Sequence, residues 1–179
     1  MRKTVIALLL FALVPVMASA QLIGADKFSL VGGLGTSLAI NSSEFQSDFK
    51  EGVTWSLRGE FRVLPQFALY GDYANVSFDP IDALDGDIQV SSAAIGGIFF
   101  GNLNAAKTVY AFIDVGVVSN TVHDGDTEFK LRPGGGVDIA CSPQVGIRPS
   151  AYVSRYAGQP EFVDGLELKL ALRLTPFAQ

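Results

Sequence analysis

The chain has 179 residues, 49% of them hydrophobic and 17% charged, with a formal net charge of −5 and one cysteine. A single cysteine excludes an intrachain disulfide, and the acidic balance argues against a nucleic-acid partner. No stretch after Gln21 approaches the roughly 18–20 apolar residues of a spanning helix, so a sandwich, a soluble barrel and a membrane barrel remain open.

Residues 1–20 read as a secretory signal peptide. Arg2 and Lys3 form a short basic region. Val5 to Val16 is an apolar core interrupted by Pro15, and Ala18-Ser19-Ala20 is a small-x-small cleavage site. The residue after that site is Gln21 rather than cysteine, which argues against a lipoprotein. Without Arg2 and Lys3, residues 21–179 carry 11 basic and 18 acidic side chains, formally −7. No linker or composition break divides them, so they are expected to form one domain.

Eight strands are predicted. Lys27 to Ala39 is the first, containing Gly32, Gly33 and Gly35, and a polar loop runs from Ile40 to Lys50. In the second, Gly52 to Val63, residues Trp55, Leu57, Gly59, Phe61 and Val63 alternate with Thr54, Ser56, Arg58, Glu60 and Arg62. Such alternation puts the two sets on opposite faces of a strand. Leu64-Pro65-Gln66 is a tight turn, because proline ends strand pairing. The third strand, Phe67 to Phe78, sets Phe67, Leu69, Gly71 and Tyr73 against Ala68, Tyr70, Asp72 and Ala74. An acidic loop spans Asp79 to Asp87. In the fourth strand, Ile88 to Phe100, Ala93-Ala94-Ile95-Gly96-Gly97 leaves open which side chains share a face.

Gly101 to Lys107 connects to the fifth strand, Thr108 to Ser119, where Val109, Ala111, Ile113, Val115 and Val117 oppose Asp114. Asn120 to Asp126 reads as a loop. The sixth strand, Glu128 to Ala140, opposes Phe129, Leu131, Pro133, Gly135, Val137 and Ile139 to Lys130, Arg132, Gly134, Gly136 and Asp138. After a turn at Cys141-Ser142-Pro143, the seventh, Val145 to Arg155, sets Val145, Ile147, Pro149, Ala151 and Val153 against Arg148, Ser150, Tyr152 and Ser154. Tyr156 to Asp164 is a loop. The eighth strand, Gly165 to Leu174, is the cleanest: Leu166, Leu168, Leu170, Leu172 and Leu174 on one face, Glu167, Lys169, Ala171 and Arg173 on the other.

Alternation alone does not decide which face meets water, since soluble and membrane barrels are mirror cases. Three features favour the membrane barrel. The charged face mixes both signs: Arg58, Glu60, Arg62, Asp72, Asp114, Lys130, Arg132, Asp138, Arg148, Glu167, Lys169 and Arg173 can pair across a narrow interior. The opposite face carries no charge, which makes Trp55, Leu57, Phe61, Ile113, Val115, Leu131 and the five leucines of the eighth strand the expected lipid-facing set. The strands are about ten residues or longer, as tilted membrane strands are. Aromatics near strand ends (Phe28, Trp55, Phe67, Phe78, Tyr110, Phe129 and Phe177) look like interfacial girdles.

On strand count, alternation, the rhythm of long and short connections and the export signal, the chain resembles the small eight-stranded outer-membrane barrels of Gram-negative bacteria, of OmpA-like or OmpX-like type. The resemblance implies an all-β, eight-stranded antiparallel up-and-down transmembrane β-barrel. It further implies periplasmic termini and tight turns, with the loops around Phe45, Asp82, Asp124 and Pro160 outside. It implies outer-membrane lipid, lipopolysaccharide and the barrel assembly machinery as partners, and a monomer. Such barrels typically end on an aromatic residue that the machinery reads. Here Phe177 is followed by Ala178-Gln179 and is out of phase with the leucine row.

No catalytic, cofactor or metal site is expected. Asp79, Asp82, Asp85, Asp87, Asp124 and Asp126 form acidic loops suited to weak divalent-cation binding, but their spacing matches no complete calcium loop. His123 is the only histidine. Lipid A deacylases of this architecture place a serine two residues after the catalytic histidine, whereas here that position is Gly125 and the next hydroxyl is Thr127. The leading expectation is a non-enzymatic outer-membrane protein with a structural or surface-interaction role. The alternatives are a narrow porin-like pore, a soluble lipocalin-like barrel binding an apolar ligand, and a lipid A-modifying enzyme using His123.

Overall fold

Every predicted ribbon becomes a strand, and each strand pairs with its sequence neighbours. The structure, a computed structural model, describes residues 27–39, 51–78, 88–122, 128–156 and 163–176. The strands are β1 (Phe28–Ala39), β2 (Gly52–Leu64), β3 (Phe67–Phe78), β4 (Ile88–Asn102), β5 (Val109–Val122), β6 (Glu128–Ala140), β7 (Val145–Tyr156) and β8 (Val163–Leu174). All neighbours are antiparallel, and β1 pairs with β8 to close the barrel. Closure leaves no unpaired strand edge, the condition that a sheet must meet in hydrocarbon.

Local chemistry explains the ends. Pro65-Gln66 is a two-residue turn, and the step before it carries a bulge between Arg62 and Leu64. Asn104 organises the connection from β4 to β5: its side-chain oxygen accepts from the Thr108 and Val109 N–H groups at 3.0 and 3.1 Å. Lys107 there adopts a left-handed conformation (φ 55°). In the β6–β7 turn the Cys141 and Ser142 N–H groups both donate to the Val145 carbonyl. The β6–β7 ladder is interrupted between Gly136 and Ile139 with its register unchanged, close to Pro149 on the facing strand, which has no N–H to give to the ladder.

The strand limits differ modestly from the expectation. β5 runs on to Val122, through residues read as loop, because Asn120, Thr121 and Val122 find partners in Ser92, Ser91 and Val90. β4 extends to Asn102 opposite Tyr110, β7 reaches Tyr156 and β8 starts at Val163. In each case pairing with the neighbouring strand carries the ladder further than the local pattern suggests. β8 ends at Leu174, and the Thr175 N–H donates to the Gln144 carbonyl at 2.8 Å, so the register stays unbroken to the strand end.

Burial separates the faces. Asp114 and Arg132 are 1% exposed, whereas Ile113 and Leu131, next to them in sequence, are 65% and 67% exposed. The charged face therefore points inward and the apolar face outward. The open question in β4 is settled by its partners: Val90, Ser92, Ala94, Ile98 and Phe100 point in, and Ile95 and Phe99 point out. Phe28, expected in the outer girdles, is buried at 4% exposure although it shares the outward phase of its partner Phe61. Two further girdle aromatics are inside instead. Phe78 is 2% exposed, and Tyr110 packs against an interior cluster that includes Phe100 and Phe112. Both fall on the inward phase of their strands, which overrides their position near a strand end.

Candidate functional site

The barrel interior holds the densest chemistry among the described residues. Eight of its charged side chains form a connected chain across six strands. Arg58 Nε and Nη2 donate to Asp72 Oδ2 at 3.2 and 2.9 Å, and Arg58 Nη1 donates to Asp114 Oδ2 at 2.7 Å. Arg132 Nη2 reaches the same Asp72 oxygen at 2.6 Å. Glu60 lies 3.8 Å from Arg58 and accepts both terminal nitrogens of Arg148, Nη2 at 3.1 Å. Arg148 also donates to Asp138 Oδ2 from Nε and Nη2 at 3.1 and 2.5 Å. Arg173 Nε donates to both Asp138 oxygens at 3.2 and 3.0 Å, and its Nη1 donates to Thr175 Oγ1 at 2.7 Å. Lys169 pairs with Glu167 at 2.5 Å.

Forked guanidinium groups suit this arrangement, because each can serve two or three carboxylates in one plane. Among the described residues, five inward carboxylates face six inward cations. Each of the five carboxylates has a cation within ion-pair distance. Arg62 makes a longer bond to the Pro65 carbonyl, 3.4 Å, and lies 4.6 Å above the Phe100 ring.

Aromatic rings fill the space between the pairs. Arg58 stands over the Tyr70 ring at 4.0 Å, and Arg132 over the Tyr152 ring at 5.1 Å. Arg148 lies within 5.1 and 5.6 Å of the Phe112 and Phe100 rings. Cation–π attraction is strongest where water is excluded. Two glycines make room for these rings: a Cβ on Gly134 would overlap the Tyr152 ring, and one on Gly116 would overlap the Tyr70 hydroxyl. Tyr70 and Tyr152 are interior residues that the charge pattern alone did not single out. Their inward phase was readable, but their glycine sockets depend on register. Toward the end with the longer connections apolar side chains join Ser37 and Thr54 inside, with Val76, Phe78, Val90 and Val118 each 2% exposed.

The predicted residues fall as follows. Arg58, Glu60, Asp72, Asp114, Arg132, Asp138, Arg148, Glu167 and Lys169 are buried, and Arg62 and Arg173 are partly buried inside. The side chain of Lys130 lies outside the described residues. Trp55, Leu57, Ile113, Val115, Leu131, Leu168, Leu170, Leu172 and Leu174 are exposed on the outer face, and Phe61 and Leu166 are half-buried. From Leu166 to Leu174 the outward leucine row rises about 20 Å along the barrel axis, given roughly 3.3 Å per residue and a tilt of about 40°. This approaches the apolar band of about 25 Å on outer-membrane barrels. The outward face of β3 and β4 becomes polar beyond Tyr73, where the Tyr73 hydroxyl and the Asn75 amide both donate to Ser91 Oγ at 3.3 and 3.0 Å. Residues 1–26, the acidic-loop positions Asp79, Asp82, Asp85, Asp87, Asp124 and Asp126, His123 and Phe177 lie outside the described residues.

The sequence matches no family model and no curated protein. The fold matches solved structures throughout. Neisserial surface protein A is 17% identical, with 83% of this chain and 97% of that one covered at a TM-score of 0.62. The outer membrane protein OprG from Pseudomonas aeruginosa is 14% identical, covering 82% and 94% at 0.59. A de novo designed transmembrane β-barrel is 12% identical, covering 82% and 93% at 0.52. The chain thus has the fold of the small eight-stranded outer-membrane β-barrels. That a designed barrel shares it is a reminder that the architecture carries no particular activity.

Proposed function

We propose that this chain is a non-enzymatic integral outer-membrane protein whose barrel is a closed scaffold for its longer connections. The role is structural or surface-interacting. The observation that carries this reading is the pairing of an uncharged outer face with an interior filled by mutually engaged charges and rings. Such an exterior is stable only against lipid, and such an interior leaves no continuous aqueous path. The loops around Phe45, Asp82, Asp124 and Pro160 then face the cell exterior, with outer-membrane lipid and lipopolysaccharide around the barrel. Assembly by the barrel machinery and a monomeric state belong to the same reading. Acidic loops that hold divalent cations weakly would suit a surface where such ions bridge lipid phosphates.

Three measurements test it. The chain from Gln21 is refolded with and without detergent micelles and compared, boiled and unboiled, by denaturing gel and circular dichroism. Detergent-dependent β-structure with a shifted unboiled band is expected, and folding to a soluble monomer in plain buffer would instead point to a soluble barrel. An epitope inserted at Phe45 should be reached by antibody on intact cells; labelling only after permeabilisation would reverse the topology. Planar-bilayer recordings address the pore reading: silence is expected, and discrete openings sensitive to Arg58 or Arg132 neutralisation would favour conduction.

A further inference from the structure

The inward face is filled unevenly. β3, β4 and β5 send in Tyr70, Ile98, Phe100 and Phe112. Around one spot β1, β2, β7 and β8 contribute the smaller groups Val31, Ser56, Ser150 and Ala171, with the Tyr152 ring beside them. The shortfall leaves a cavity of about 20 Å³, bordered also by Arg58, Asp72, Arg148 and Lys169. That is room for one water-sized molecule.

Asp72 supplies a second, independent observation. It is 8% exposed and spends Oδ2 on both Arg58 and Arg132, while Oδ1 is buried without a hydrogen-bond partner. A buried carboxylate oxygen left without a donor is costly. A cation at this place would meet Arg58, Arg148 and Lys169, and an anion would meet Asp72. A neutral molecule that both donates and accepts suits all four, and the Ser56 and Ser150 hydroxyls can serve it in either sense.

We propose that this cavity is a binding site for one ordered water molecule, which donates to Asp72 and accepts from the cationic and hydroxyl groups around it. The water is then a member of the charge network, and small residues at Ser56, Ser150 and Ala171 are required to admit it.

The test uses the chain from Gln21 refolded in detergent and crystallised twice, once with chloride and once with bromide. One density peak within hydrogen-bond distance of Asp72 Oδ1, with no anomalous signal, is the expected result. An anomalous bromide peak would make the site an anion site, and no density would make the cavity dry; either result refutes the proposal. Stability gives a check that needs no crystals. Ala171→Val reaches into the cavity, and displacing the water should shift the urea unfolding equilibrium about tenfold toward the unfolded state. A dry cavity would be filled by the added methyls and the protein made more stable. The same substitution in an Asp72→Leu background separates displacement from strain: the cost should shrink there, and an undiminished cost would mean strain alone and sink the idea. None of these readouts depends on conductance or surface display, so the outcome stands apart from the function proposed above.

Discussion

Arg58 and Asp72 are direct cross-strand partners of β2 and β3, and two nitrogens of Arg58 donate to one oxygen of Asp72. The same oxygen receives Arg132 from β6. One carboxylate thus ties together three strands, two of them consecutive and one distant in sequence.

Asp72 is accordingly a costly residue to remove. Asp72→Ala leaves Arg58 and Arg132 buried without their shared counter-charge, and a loss of about 3–5 kcal/mol is expected. Reversible urea unfolding from lipid vesicles measures it. Replacing Asp72 and Arg132 together by leucine and methionine should recover most of the loss, because a well-packed apolar pair replaces a buried ionic one. A double variant as unstable as Asp72→Ala would show that shape, not charge, sets the cost.

The glycine sockets give a prediction with an internal control. Gly134→Ala places a methyl into the Tyr152 ring and should destabilise the barrel by about 1–3 kcal/mol. Tyr152→Ser in the same chain should relieve most of that penalty. Gly71→Ala meets nothing within 4 Å and should leave the unfolding midpoint unchanged. Equal effects at both glycines would point to strand conformation rather than the socket.

The outer face should show a depth profile. Leu170→Arg, in the middle of the leucine row, is expected to cost about 2–4 kcal/mol in vesicles. Leu64→Arg, beside the Pro65-Gln66 turn, is expected to cost about 0–1 kcal/mol. A flat profile would mean that this surface is not embedded in hydrocarbon.

Trp55 offers a spectroscopic ruler. It is the only tryptophan, is 46% exposed and sits 5.5 Å from the Tyr73 ring, beside the polar groups of Asn75 and Ser91. Lipids brominated near the headgroup should quench its fluorescence more strongly than lipids brominated near the chain end. Strongest quenching from the chain end would put Trp55 at the bilayer centre and displace the apolar band.

The two-faced ribbons were legible because charge and leucine alternate with a period of two, and that period has no helical equivalent. The inward placement of the charges was legible only as a preference, since a soluble barrel would write the same pattern. The phase of β4 was not legible, because alanine and glycine fit either face. Phe78 and Tyr110 lie inside because the phase of their strands, not nearness to a strand end, decides which face they take.

The sequence by itself determined eight strands, their approximate limits, and which side chains share a face, since these follow from neighbours one and two residues away. Only the tertiary structure decided who meets whom. Arg148 joins Glu60 across 88 residues and Arg132 joins Asp72 across 60. Such partners depend on barrel closure and on the register of every intervening strand. A slip of one residue in any strand would turn its charges to the outside. Register is a property of the whole closed sheet, and no local stretch of the chain encodes it.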